Sequence, residues 1–158
     1  MTSRTPVRRS AVAAAGIVAL LAVVGCGGPD HLEGSVVAVD DTGQKDRALG
    51  GGWVAVFDDD SLSSYLAQSG IDAPGSTDLP YAVGRVLHDD VTGAGGVLAT
   101  VDEKGRFTLT ATGRHTLCRL VEAPQVDLLK GCAVVELPAT GRLKLSAGEG
   151  GLGATLDD

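Results

Sequence analysis

The sequence is poor in aromatic and basic residues and contains no asparagine. Aromatic residues make up only 3% of the 158 residues whereas hydrophobic residues make up 44%, so a core must be built mainly from Val, Leu and Ala. The 23 glycines favour many turns over long helices. A chain of this length suits one domain better than two.

Basic residues become scarcer still when the N-terminal segment is set aside. Residues 1–25 hold three of the 13 basic residues and no acidic residue, so the remaining chain has 10 basic and 20 acidic residues and a net charge near −10. Such a chain repels nucleic-acid backbones and anionic lipid headgroups. We therefore predict that it has no nucleic-acid partner.

The common motifs of hydrolases and metal sites are also missing. The sequence has no Gly-x-Ser-x-Gly elbow, no Cys-x-x-Cys pair and no EF-hand spacing, and its three histidines lie far apart. The acidic stretch 58–60, with Asp89 and Asp90, has the oxygen ligands that Ca²⁺ prefers, although helix capping explains it more simply. We predict no catalytic residue, no bound metal and no cofactor. The alternative is an envelope hydrolase or metal-binding protein that uses His88 and these acidic loops.

The N-terminus has the pattern of an export signal. Arg4, Arg8 and Arg9 precede an apolar run over 11–24, which is shorter than the roughly 20 residues of a membrane-spanning helix. The run ends in Val23-Val24-Gly25-Cys26. This ending resembles a lipobox, in which small residues precede the cleaved bond and the cysteine receives the lipid.

We therefore predict a lipoprotein signal peptide over 1–25, a lipidated tether over 26–31 and a folded domain over 32–158. Cys26 is the predicted lipidation site, and several acyl chains on it would hold the protein to a membrane more firmly than one chain. The predicted location is the extracytoplasmic face of the cell membrane. An ordinary signal peptide followed by a chance cysteine is the alternative.

The mature part has the pattern of an all-β protein with one short helix. Alternation of apolar and polar residues predicts strands, and the Asp cluster before Leu62, Tyr65 and Leu66 predicts the start of a helix over 61–69 that Gly70 ends. Residues 102–105 are predicted to join two strands as a hairpin, and 72–80 and 92–96 are predicted to be loops. Many short strands at close spacing indicate a β-sandwich. The predicted strands are 31–40, 53–57, 81–87, 97–101, 106–111, 114–121, 132–137, 142–146 and 152–156.

Two cysteines remain after Cys26. Cys118 and Cys132 lie in predicted strands of an exported domain, where oxidation is expected. We predict a structural disulfide between them, which would stabilise the fold by about 3 kcal/mol in the chain-entropy model. A metal-binding pair of thiols is the alternative.

The segment from Gly96 to Leu109 resembles a recurring hairpin of carboxypeptidase regulatory-like domains, with Thr100, Asp102, Gly105 and Phe107 at the matching positions. The segment 113–117 is similar to the strand that follows in that family, although His115 stands where an aromatic residue is usual. The segments 34–37 and 53–56 are similar to the family's opening strands. The insertion over 58–80 and the Cys118–Cys132 pair depart from the family pattern.

This resemblance implies a Greek-key-type, transthyretin-like β-sandwich that binds proteins, sugars or peptides, and it transfers no catalytic residue. We predict a non-catalytic binding or interaction module that uses the loops at one end of the sandwich or the inserted segment 58–80. Its partners would be the membrane, through the lipid anchor, and a surface protein or carbohydrate. A purely structural envelope component is a further possibility.

Overall fold

The computed structural model describes residues 31–39, 46–69, 84–121 and 126–157. The predicted signal peptide, Cys26, Gly70 and the predicted loop over 72–80 lie outside the described residues. Within those ranges, neither helix has the length and hydropathy needed to cross a membrane.

The described chain forms strands and two short helices in a simple order. Strands predominate because Val, Leu and Thr alternate with polar residues over short stretches that Gly and Pro separate. The elements are β1 (Leu32–Ala38), β2 (Arg47–Ala48), β3 (Trp53–Phe57), α1 (Asp59–Ser69), β4 (Gly84–Leu87), α2 (His88–Gly93), β5 (Val97–Thr100), β6 (Arg106–Leu109), β7 (Gly113–Val121), β8 (Val126–Leu137), β9 (Gly141–Gly148) and β10 (Gly151–Asp157).

The strands form two five-stranded sheets. Sheet A has the order β10-β9-β1-β2, with β6 also paired to β1, and sheet B has the order β4-β8-β7-β3-β5. The β1–β9 pair is parallel, and the other pairs are antiparallel. The two sheets enclose a shared apolar core, so the prediction of an all-β sandwich is confirmed.

Strand β3 contributes apolar side chains to both faces of sheet B. Val54 and Val56 point into the core between the sheets, whereas Ala55 and Phe57 point to the opposite face of sheet B. Both faces of β3 are therefore apolar, as expected of a strand that is covered on both sides. The core between the sheets also takes large side chains from β1, β6, β7, β8, β9 and β10, among them Leu32, Val36, Phe107, Leu109, Leu117, Leu137, Leu143, Leu145 and Leu152.

The two helices cover the outer face of sheet B. Tyr65 of α1 and Val91 of α2 are buried there, and the ring of Tyr65 stacks on Phe57 with the centroids 4.9 Å apart. The segment that resembles an insertion thus supplies part of a second hydrophobic cluster. We infer that α1 stabilises the domain and is more than an attached interaction loop.

Helix α1 begins at the acidic cluster, as predicted. The Asp58 carboxylate accepts a hydrogen bond from the backbone N–H of Ser61 at 2.7 Å and another from the Ser61 hydroxyl at 2.6 Å. Both bonds hold the pKa of Asp58 below its usual value, and the bond from the Ser61 hydroxyl contributes more than the bond from the backbone N–H. The acidic stretch therefore works as a helix cap.

The predicted hairpin has the right turn but the wrong strand pairing. The Asp102 carboxylate accepts hydrogen bonds from the backbone N–H groups of Lys104 and Arg106, both at 2.8 Å, and Gly105 has φ of 77°. The flanking strands then separate: β5 pairs with β3 in sheet B, and β6 pairs with β1 in sheet A. The turn is therefore the corner at which the chain passes from one sheet to the other.

Phe107 fixes the pairing of β6 with β1. It lies opposite Gly34, and a Cβ atom on Gly34 would stand 2.2 Å from the Phe107 ring. Only glycine leaves room for the ring at this point of β1, and the ring is 4% exposed. The Phe107 ring thus packs over Gly34 in the core between the two sheets.

Two local predictions were wrong, and one short strand was not predicted. Helix α2 occupies part of the predicted turn over 92–96, because Val91 is fully buried against sheet B and holds this short segment in place. Strand β8 begins at Val126 and not at 132, since Gly131, with φ of 106°, allows the chain to bend and continue. The dipeptide Arg47–Ala48 forms β2, a pairing too short to leave a sequence pattern.

We predict that Gly34→Ala destabilises the domain by about 1–3 kcal/mol, since the buried Phe107 ring must shift to admit the methyl group. The matched control is Gly153→Ala on exposed β10, where a Cβ atom would lie 3.8 Å from its nearest neighbour. Urea unfolding monitored by circular dichroism measures both. Equal midpoints for the two variants would contradict this account of the Gly34–Phe107 contact.

Candidate functional site

His88 contacts a buried carboxylate at the junction of β4 and α2. Its Nε2 atom makes a short hydrogen bond with Oδ2 of Asp127 on β8, and the Asp127 side chain is fully buried. The pair forms because Asp127 lies opposite Val86 in the β4–β8 register, two residues before His88. The imidazole also meets the edge of the Trp53 ring, with the centroids 4.6 Å apart.

This pair has the arrangement of a base and its orienting acid. Asp127 fixes the ring of His88 as an orienting carboxylate does in hydrolases. Among the described residues, however, no hydroxyl or thiol bonds to His88 as the third member of a catalytic triad. The geometry is therefore that of a hydrogen-bonded pair that joins α2 to sheet B.

Asp89 and Asp90 directly follow His88 in α2, but the structure does not bring His88 together with the acidic stretch 58–60. Asp58 caps α1, and Asp59 pairs with Arg114 at 3.5 Å, at the end of β7 remote from Asp127. Within the described ranges, no cluster of three or more His, Cys, Asp or Glu side chains has the geometry of a metal site. Sequence reasoning missed Asp127, because an isolated acid in an apolar stretch carries no motif.

The other two histidines are separate from this pair. His31 lies just before β1, and the Nδ1 atom of His115 is 3.1 Å from the carbonyl oxygen of Gly113. The pKa of Asp58 is lowered mainly by the hydrogen bonds from Ser61. The imidazole of His115 lowers it further by a smaller amount, whereas burial raises it. Neither histidine is placed with a nucleophile among the described side chains.

Cys118 and Cys132 form a disulfide between β7 and β8. The two residues are direct partners in the antiparallel register, and both side chains are buried in the cluster under the helices. The bridge is therefore structural. It strengthens sheet B beside the β-bulge that follows Cys118.

Tyr65 of α1 and Asp127 of β8 have buried polar atoms between the helices and sheet B. Burial raises the pKa of the Tyr65 hydroxyl to about 12. Within the described part of the chain, neither this hydroxyl nor Oδ1 of Asp127 has a hydrogen-bond partner. Both groups belong to the packed layer between the helices and sheet B, and we assign no ligand to them.

A polar groove crosses the outer face of sheet A. Its volume is about 490 Å³, and the strands β1, β6 and β9 form its floor. Its polar side chains belong to Glu33, Ser35, Thr100, Asp102, Arg106, Thr108 and Arg142. The lining therefore combines two guanidinium groups, two carboxylates and three hydroxyls.

Strand register places the groups on β1, β6 and β9 side by side, whereas Thr100 lies on β5 of sheet B and Asp102 lies in the turn after it. Glu33 on β1 lies between Thr108 of β6 and Arg142 of β9, and the next outward position, Ser35, lies beside Arg106. Because alternate residues of a strand share a face, all of them point away from the core. The β1–β9 pairing could not be foreseen from the sequence, so neither could this groove.

Hydrogen bonds hold the side chains of Asp102 and Arg106 in place in the groove. The Asp102 carboxylate accepts a bond from Nε of Arg106 at 2.9 Å and faces Nη2 at 2.8 Å. The backbone N–H of Arg106 is the main cause that lowers the pKa of Asp102, so this carboxylate stays ionised at neutral pH. Arg142 and Glu33 have no ion pair within the described residues, and their charges are available to a ligand.

Comparisons with known proteins give little further information. No protein-family model and no curated protein matches the chain. A crystal structure from Pseudomonas aeruginosa, of a protein provisionally described as carbohydrate binding, is similar with 17% identity and a TM-score of 0.42, over 73% of this chain and 86% of that chain. A likeness this distant carries no argument about ligand or activity.

We predict that His88→Ala destabilises the domain by roughly 3–5 kcal/mol, because it leaves the buried Asp127 carboxylate without its partner. His115→Ala is the control, and we expect a loss of only about 1 kcal/mol from its one hydrogen bond to a carbonyl oxygen. The double variant His88→Leu with Asp127→Leu should recover most of the loss. Urea unfolding measures all three, and a small effect of His88→Ala would contradict a structural role for the pair.

Proposed function

We propose that the mature chain is a lipid-anchored, non-catalytic binding module on the extracytoplasmic face of the cell membrane. Its ligand would be a neutral carbohydrate that lies in the groove on sheet A. The observation that supports this proposal best is the lining of that groove, in which guanidinium, carboxylate and hydroxyl groups alternate across neighbouring strands.

The charge of the groove favours a neutral, hydroxyl-rich ligand. Sugar hydroxyls donate to carboxylates such as Glu33 and accept from guanidinium groups such as Arg142, so one ligand can satisfy both kinds of group. A strongly acidic or strongly basic polymer would instead meet like charges at one of the two. Phe107 is buried and offers no exposed ring for stacking, so we expect weak binding per sugar.

The resemblance to carboxypeptidase regulatory-like domains also supports a non-catalytic role, because none of the residues that carry it is a catalytic residue. The residues that carry it have structural tasks: Asp102 organises the turn, Gly105 adopts positive φ and Phe107 fills the core. The alternative of an envelope hydrolase has one observation in its favour, the orientation of His88 by Asp127. A nucleophile beside His88 would be needed as well.

A sugar titration tests the ligand. The mature chain with Cys26→Ser, labelled with ¹⁵N, is titrated with neutral disaccharides while backbone amide shifts are followed by NMR. We expect saturable shifts at Ser35 and Thr108, and at least fivefold weaker binding after Arg142→Ala. The control Arg85→Ala removes the same charge from exposed β4 in sheet B and should leave binding unchanged.

Three results of this titration would contradict the proposal. Absence of saturable shifts would exclude the carbohydrate, and shifts confined to other surfaces would exclude the groove. Hydrolysis of a disaccharide during the titration would favour the hydrolase alternative.

Intact-mass spectrometry of the membrane-extracted protein tests the anchor. We expect the chain to lack residues 1–25, to carry acyl groups, and to gain two protons on reduction of the Cys118–Cys132 disulfide. The Cys26→Ser variant should carry no acyl mass. A wild-type chain that retains residues 1–25, or that lacks lipid, would disprove the lipoprotein prediction without bearing on the groove.

A further inference from the structure

Arg119 on β7 is a buried cation without a carboxylate partner among the described residues. Its side chain is 5% exposed, and its Nη1 atom donates a hydrogen bond to the carbonyl oxygen of Leu49 at 3.3 Å. Over the described ranges, no acidic group forms an ion pair with it. Arginine is rarely so buried unless an anion accompanies it, since a buried charge loses its hydration.

The side chain of Arg119 lines a cavity of about 340 Å³. The cavity lies where β7 and β9 end and where the chain after β2 crosses between the sheets. Its lining consists of Leu49, Arg119, Val121, Lys130, Ala147 and Gly148. Among the described residues, this lining has two cations and no acidic side chain, although acidic residues outnumber basic ones by 20 to 13 in the sequence.

We propose that this cavity binds a compact oxyanion, a phosphate or carboxylate group, through the Arg119 guanidinium. The guanidinium has N–H donors beyond the one used on Leu49, and its planar fork matches two oxygen atoms of such a group. Lys130 is exposed at the rim and adds a second positive charge. Leu49, Val121 and Ala147 form the apolar part of the lining, and the cavity is open to solvent.

Two features support this assignment. Burial lowers the pKa of Arg119, and a bound anion would oppose that effect by stabilising the charged form. The cavity is also separate from the groove on sheet A, since the two have no described lining residue in common. The inference therefore stands whether or not the proposed function is correct.

An anion titration of the mature chain with Cys26→Ser tests the proposal. Sodium phosphate and sodium acetate are compared with sodium chloride at constant ionic strength, and backbone amides are followed by NMR. We expect saturable shifts at Val121, Lys130 and Gly148 with phosphate or acetate and not with chloride. Arg119→Met should weaken binding at least tenfold, Lys130→Gln by a few-fold, and the exposed control Arg85→Gln not at all.

Thermal unfolding gives a second measurement. In chloride, Arg119→Met should have a Tm at least equal to that of the wild type, because an unpartnered buried charge is removed. Added phosphate or acetate should raise the Tm of the wild type and of Arg85→Gln but not that of Arg119→Met. If Arg119→Met fails to fold, the wild-type shift map and Lys130→Gln still decide the question.

Several results would overturn the proposal. These are equal shifts with all the salts, shifts that avoid the cavity, or unchanged affinity in Arg119→Met. Sedimentation with phosphatidylglycerol vesicles distinguishes the source of a phosphate group. Binding to inorganic phosphate without sedimentation supports a free solute, whereas sedimentation that is lost in Arg119→Met supports a lipid headgroup.

Discussion

The two-sided burial of sheet B is the constraint on which the rest of the structure depends. Sheet B packs against sheet A with one face, and its other face carries Ala55, Phe57, Leu120 and the Cys118–Cys132 disulfide. A sandwich of two sheets alone would leave that second face in water. Helices α1 and α2 cover it, so the domain has three layers in place of the usual two. This requirement gives the segment after β3 its structural role.

The same constraint separates what the sequence predicts from what it does not. Alternation of polar and apolar residues identifies β6 as a strand, because the residues on each face of a strand share one environment. The pattern of Asp58 and Ser61 identifies the start of α1, since helix capping is a local interaction. Partner choice is not local, and the parallel pairing of β1 with β9 depends on residues more than a hundred positions apart. The groove on sheet A could not be predicted for the same reason, because Glu33 and Arg142 come together only through this pairing.

Two buried charges follow different rules in this fold. Asp127 has a partner in His88, which makes the pair a connection between α2 and sheet B. Arg119 is also buried, but its hydrogen-bond acceptor among the described residues is a backbone carbonyl oxygen. A carbonyl dipole offsets less of the lost hydration than a carboxylate does. The cavity that Arg119 lines is where the proposed anion would supply the stronger partner.

The positions of the two proposed sites follow from strand direction. Strand β1 starts at Leu32, just after the predicted tether, and runs parallel to β9 toward Gly148. The Arg119 cavity lies at the end that β9 reaches, whereas the groove lies along the flank of sheet A near the start of β1. If lipid on Cys26 holds the chain, the short tether keeps the start of β1 near the membrane surface. The cavity would then lie at the end of β1 farther from that surface, which favours a solute over a headgroup of the same membrane as the source of the proposed anion.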